Sequence, residues 1–140
     1  MFRKILVAYD GSAGSMRALD VAIDLAQKYA AGLWALSVEE HLPRFAATVG
    51  EVDEEKEYEN HFFAEVQAEA VARARSKGIE LKTEIIPGHA AETVVRFARE
   101  HSFDLIILSH IGHSALWGTL LGGTSERISH HAHCSVMIVR

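Results

Sequence analysis

Five short runs of nearly continuous apolar residues punctuate the chain, and between them apolar positions recur every three or four residues. The first run, Ile5 to Tyr9, is closed by Asp-Gly-Ser. Its lack of polar alternation predicts a strand buried on both faces. After it, Ala18, Val21, Ala22, Leu25 and Tyr29 fall at helical spacing, with Ser12 or Ser15 as cap and Gly32 as stop. Leu33 to Val38 is the second strand. The 14 residues EEHLPRFAATVGEV that follow have no clean period, contain Pro43 and Gly50, and predict a loop. From Asp53 the pattern turns helical, with Asp53, Glu54, Glu55 and Glu57 at the amino end, Arg73, Arg75 and Lys77 at the carboxyl end, and Gly78 beyond. Phe62, Val66, Ala70 and Ala74 are its predicted inward stripe.

Ile79 to Ile86, ended by Pro87-Gly88, is the third strand, and Ala91, Val94, Val95 and Ala98 mark a third helix. Asp104 to Ser109 is the fourth strand. A glycine-punctuated stretch, a helix from about Thr124 to Ala132 and a last strand, Ser135 to Val139, complete the order β-α-β-α-β-α-β-α-β. Parallel strands need crossover connections, and right-handed crossovers put helices over the sheet. The expected fold is therefore α/β, a five-stranded parallel sheet with helices on both faces, in a single domain over residues 1–140. Ligands of such sheets sit beyond the carboxyl ends of strands where the strand order reverses. The loops after the first and fourth strands face each other if those strands are neighbours.

Composition narrows the partners. A formal net charge of -5 argues against nucleic acid, and no apolar run approaches the roughly 18 residues of a membrane-spanning helix. Cys134 is the only cysteine, which fits a reducing cytoplasm and predicts a buried small hydrophobe. The nine histidines include His130, His131 and His133, but no recognised zinc spacing, and neighbours on a helix point about 100° apart, so no metal site is expected. No serine has an evident histidine and aspartate partner, and no G-x-S-x-G elbow occurs. Efficient catalysis is not expected.

The stretch SHIGHSALWGTLLGGTSER, Ser109 to Arg127, carries the candidate chemistry. Gly122-Gly123-Thr124-Ser125 opens a helix, where exposed N–H groups and the helix dipole suit phosphate oxygens. The alternative is a surface loop that glycines merely allow to turn. Standard P-loop and dinucleotide fingerprints are absent. Asp10 likewise has two readings, a ligand contact or a cap for the turn into the first helix. Trp117, beside Leu116 and Leu120, reads as packing.

The opening KILVAYDGS, the DLIILS strand, the spacing from Gly112 through nine residues to Gly122, the SER at 125–127 and the closing HCSVMIVR together resemble the universal stress protein family. The resemblance covers the whole chain. It implies an adenine nucleotide alpha hydrolase-like, Rossmann-like fold, a homodimer through the last strand, a stress-response role with a protein partner not named by the sequence, and, in one branch, ATP binding through G-x2-G-x9-G-[ST]. Against that pattern Ser109 stands at the first glycine, Gly112 and Gly122 at the second and third, and Gly123 at the hydroxyl position. The nucleotide, ATP or AMP with or without Mg2+, is thereby expected over Ala8, Tyr9, Asp10 and Val38, with its phosphates over Ser109, Ile111, Gly112, His113, Gly122, Gly123, Thr124 and Ser125. Thr124 and Ser125 are candidates to replace the missing hydroxyl. A nucleotide-free homodimeric interaction module of the same fold with a degenerate site is the alternative, and a slow ATPase or adenylate-transferring enzyme is the second.

Overall fold

The computed structural model describes residues 1–40, 49–110 and 123–140. The elements run β1 (Lys4–Ala8), α1 (Ala13–Tyr29), β2 (Gly32–Glu39), α2 (Val49–Ser76), β3 (Leu81–Pro87), α3 (Ala90–Glu100), β4 (Leu105–Ser109), α4 (Gly123–His131) and β5 (Ser135–Val139). All strands are parallel, in the order β3-β2-β1-β4-β5, so β1 is central and pairs with both β2 and β4. The five-stranded parallel α/β sheet expected from the sequence is the fold found. Apolar runs become the inner strands because both faces are covered. Ile5, Leu6, Val7, Ile106 and Ile107 are each 0% exposed, and burying such a side chain is worth about 1.5–3 kcal/mol.

Two cores result. On one face Ala18, Ala22 and Ala26 of α1 and Ala70 and Ala74 of α2 close on Ile5, Val7 and Ile107. On the other, Val94 and Phe97 of α3 and Ile128 of α4 close on Leu6, Leu36 and Ile106. The start of β1 is pinned to β4, since Asp104 accepts from the Arg3 N–H at 2.8 Å and the Lys4 N–H at 3.2 Å.

Several boundaries differ from the sequence reading for physical reasons. Gly32 does not stop α1. Ala30 takes the left-handed cap (φ 52), and Gly32 opens β2 opposite Lys4. The α2 helix begins at Val49 rather than Asp53, because EVDEEKEYEN is rich in helix formers and a glycine in the first turn costs little there; residues 41–48 of the expected loop lie outside the described residues. Ile79 precedes β3, since its N–H is spent on the Ala74 carbonyl (3.0 Å) in the turn that ends α2. Phe62 is 39% exposed, so the inward stripe of α2 is Val66, Ala70 and Ala74, with Gln67 buried among them. Tyr29 is exposed too, edge-on to Phe2. Cys134 is half-buried, and burial followed by the Asp104 charge pushes its thiol above the usual range. Trp117 falls outside the described residues.

Candidate functional site

From β1 the chain winds through β2 to β3 on one side and, later, through β4 to β5 on the other. The chain leaves β1 toward α1 on one face and leaves β4 toward α4 on the opposite face, as the two cores require. That divergence opens a crevice at the carboxyl ends of the two strands.

On the β1 side, Asp10 Oδ1 accepts from the Ser12 N–H at 2.9 Å, and Ser12 Oγ accepts from the Ser15 N–H at 3.1 Å. These bonds make an Asx turn that hands over to the N-cap of α1. Gly11 between them has φ +82, and a Cβ there would stand 2.7 Å from Val66 Cγ1, so the turn lies directly against α2. Ala8 and Val38 are half-buried in the layer beneath α3 and α4. Tyr9 faces the other way: its ring, 3% exposed, packs in the core with α1 and α2. Burial, then the nearby Glu69 carboxylate, raises its hydroxyl above the ordinary phenolic range. Its N–H donates to the Leu36 carbonyl (2.9 Å) and its carbonyl accepts from Ser37 Oγ (2.7 Å).

The partners of Tyr9 were not foreseen from the sequence. Gln67 Nε2 donates to Ser37 Oγ at 3.0 Å and to the Glu84 carbonyl at 2.7 Å. A polar chain therefore ties the ends of β1 and β2 and the middle of β3 to α2. The available signal was a glutamine at a position whose helical neighbours are alanine and valine; a buried amide needs partners, and strands supply them.

On the β4 side, Ser109 is half-buried, and its carbonyl accepts from Ser125 Oγ at 3.1 Å. Ser125, 5% exposed, thus fastens the first turn of α4 to the end of β4 and spends its hydroxyl proton in doing so. Gly123 begins α4, and among the described residues nothing lies within 4 Å of where a Cβ would be. Thr124 is half-buried and lines a cavity of about 500 Å³ between α3 and α4. Glu40, at the head of that cavity, accepts from the Ala90 N–H at 2.8 Å and so caps α3, whose own N-cap residue His89 makes no side-chain cap. Ile111, Gly112, His113 and Gly122 lie outside the described residues. Among the described residues no group of three His, Cys, Asp or Glu side chains is arranged to hold a metal, and no helix is long and apolar enough to cross a membrane.

The arrangement offers a carboxylate turn on one strand end and a helix start on its neighbour. Known proteins share the scaffold. The model of the universal stress protein family matches residues 1–140. The universal stress protein YxiE of Bacillus subtilis is 33% identical over 148 residues, covering 100% of both chains. The solved universal stress protein UspA of Lactobacillus plantarum has 27% identity and a TM-score of 0.91, with 99% of this chain and 98% of that one aligned. A universal stress protein crystallised in complex with cAMP aligns at 24% identity, TM-score 0.77, over 99% of this chain and 97% of its own. Two others share the fold: one from Archaeoglobus fulgidus in complex with dAMP (18%, 0.67, covering 99% and 98%) and one from Arabidopsis thaliana with AMP bound (16%, 0.71, covering 98% and 90%). With its strand order, its two-sided core and its full-length match to these relatives, the chain belongs to the universal stress protein family.

Proposed function

We propose that the chain binds an adenine nucleotide, ATP or AMP, in the crevice between β1 and β4, and that occupancy is its stress-response signal to a protein partner. The observation that supports this most is the Ser125–Ser109 bond, which holds the N–H end of α4 at the end of β4, beside the Asp10 turn on the adjacent strand. Adenine nucleotides bound by family members of the same fold support the same reading. In it the Asp10 carboxylate meets a ribose hydroxyl, Ala8 and Val38 border the base, and the phosphates lie over the turn from Ser109 through Ile111, Gly112 and His113 to Gly122, Gly123, Thr124 and Ser125. Bound ATP would bring Mg2+ with its phosphates. The protein acts by binding, with at most slow hydrolysis, as a cytoplasmic homodimer joined along β5.

One observation favours a second reading, a nucleotide-free interaction module. Ser109 and Gly123 depart from the family's glycine and hydroxyl positions, and the Ser125 hydroxyl is already engaged. Identifying nucleotide released from the purified protein, followed by calorimetric titration with ATP, AMP and cAMP, separates the two. Asp10→Asn is the informative variant, since it keeps an oxygen for the Ser12 N–H and removes the charge. Loss of one charge-assisted hydrogen bond, about 1.5–3 kcal/mol, should weaken binding by roughly ten- to a hundredfold. No released nucleotide and no heat with any of the three ligands would leave the second reading standing.

A further inference from the structure

On the face away from α1 and α2, the groove between α3 and α4 has a volume of about 500 Å³, and Arg96, Arg99 and Arg127 converge on it together with His131. Helical spacing explains the convergence. Residues 96 and 99 stand three apart on one stripe of α3, and residues 127 and 131 stand four apart on the facing stripe of α4. Among the described residues, none of the three arginines has a carboxylate within ion-pair distance. Glu40 is engaged with the Ala90 N–H, which leaves Glu92 as the other acid of the lining. Neighbouring guanidinium groups repel, and a chain with 19 acidic and 14 basic residues has carboxylates enough to pair them all. Three unpaired arginines around one cavity are a local reversal of the charge of the whole molecule. Departures of this kind from local consistency mark functional sites.

We propose that this groove is a second ligand site, meeting the strand-end crevice at Thr124 but built on the arginines of α3 and α4, for a small molecule carrying two or more phosphate groups. A guanidinium presents its N–H donors as a fork that matches phosphate oxygens in pairs. The volume lies within the roughly 300–1,000 Å³ of small-molecule sites, and a concave groove suits such a ligand better than a flat protein partner. The N-terminus of α3 is already capped by Glu40, so the arginines and not the helix end supply the attraction. Thr124 at the rim adds a hydroxyl.

Inorganic triphosphate is the probe. Calorimetric titration of the full chain should show binding that weakens with added salt. Arg96→Ala, Arg99→Ala and Arg127→Ala should each weaken it about tenfold, one charge-assisted bond apiece, and Arg127→Lys should retain part of the affinity. These side chains are exposed, so unchanged thermal melting is the accompanying control. Absence of binding by the unmodified protein, or a triple arginine variant that binds as well as the parent, overturns the proposal. In Gly112→Val, which removes the phosphate seat proposed for the crevice, triphosphate binding that still weakens with the arginine variants should remain. If Gly112→Val abolishes it while the arginine variants do not, the phosphates lie in the glycine turn; the groove proposal then falls while the nucleotide reading survives. Failure of ATP to bind, with triphosphate binding that responds to the arginines, is the reverse outcome.

Discussion

Gly11 is the residue at which the β1 side of the crevice is most sensitive to change. Its φ of +82 disfavours any side chain by about 1–2 kcal/mol, and Val66 Cγ1, 2.7 Å from the missing Cβ, adds a steric term. Gly11→Ala should therefore lower stability by roughly 2 kcal/mol in urea unfolding. In a double-mutant cycle with Val66→Ala the penalties should be less than additive, and additivity would show that Gly11 and α2 are not in contact. Gln67→Leu should cost about 1–3 kcal/mol, because the Glu84 carbonyl loses its partner and the Ser37 hydroxyl loses a donor. At this scale the sequence was informative about Asp10 and Ser12, whose turn and cap roles follow from short-range chemistry. It was silent about Ser37 and Gln67, which meet across 30 positions of sequence, and about Ser125 meeting Ser109. No local pattern encodes which polar groups a fold will bring together.

Among elements, α1 and α2 are joined at the surface by a forked pair, Arg73 Nε to Asp20 Oδ1 at 2.6 Å and Arg73 Nη2 to Oδ2 at 2.8 Å. The hydrogen bonds from Arg73 hold the Asp20 carboxyl below its usual range. A depressed carboxylate stabilises the fold above its unfolded value, about pH 3.9, and loses that contribution as pH falls through the folded value. Both side chains are nearly half exposed, 44% and 48%, so solvent screening limits the effect to about 0.5 kcal/mol. Asp20→Asn should show that deficit at neutral pH, and the gap should close in acid and in high salt; urea midpoints across pH measure it. Existence and order of the nine elements among the described residues were legible, because strand and helix periods differ clearly in LIILS and in AAETVVRFARE. Their ends were less so. Ala30 took a left-handed cap that glycine chemistry had assigned to Gly32, and Phe62 keeps the helical spacing of Val66 and Ala70 yet stays exposed.

At the scale of the molecule, β5 pairs with β4 alone, so one side of it is an edge. The Val139 carbonyl accepts from the His110 N–H at 2.7 Å, so that side of the strand faces β4. Backbone groups alternate sides along a strand, which gives Met137 to the same ladder and leaves Val136 and Ile138 facing outward. If two subunits join along β5, Ile138→Pro should convert a dimer to a folded monomer in sedimentation, whereas Met137→Pro should destabilise the subunit itself. A monomeric parent protein at micromolar concentration would remove the dimer from the proposal. The sheet order also has a consequence for biosynthesis. Ile5 pairs with Leu33 on one side but with Leu105 on the other. At about 5–20 residues per second, several seconds of translation separate the emergence of β1 from that of its second neighbour. Through that interval the amino-terminal strands can assemble as a half-sheet with one apolar flank open, a surface for chaperones to cover. The crevice between β1 and β4 does not exist until that wait is over, so the nucleotide proposed to bind there would select finished chains from unfinished ones.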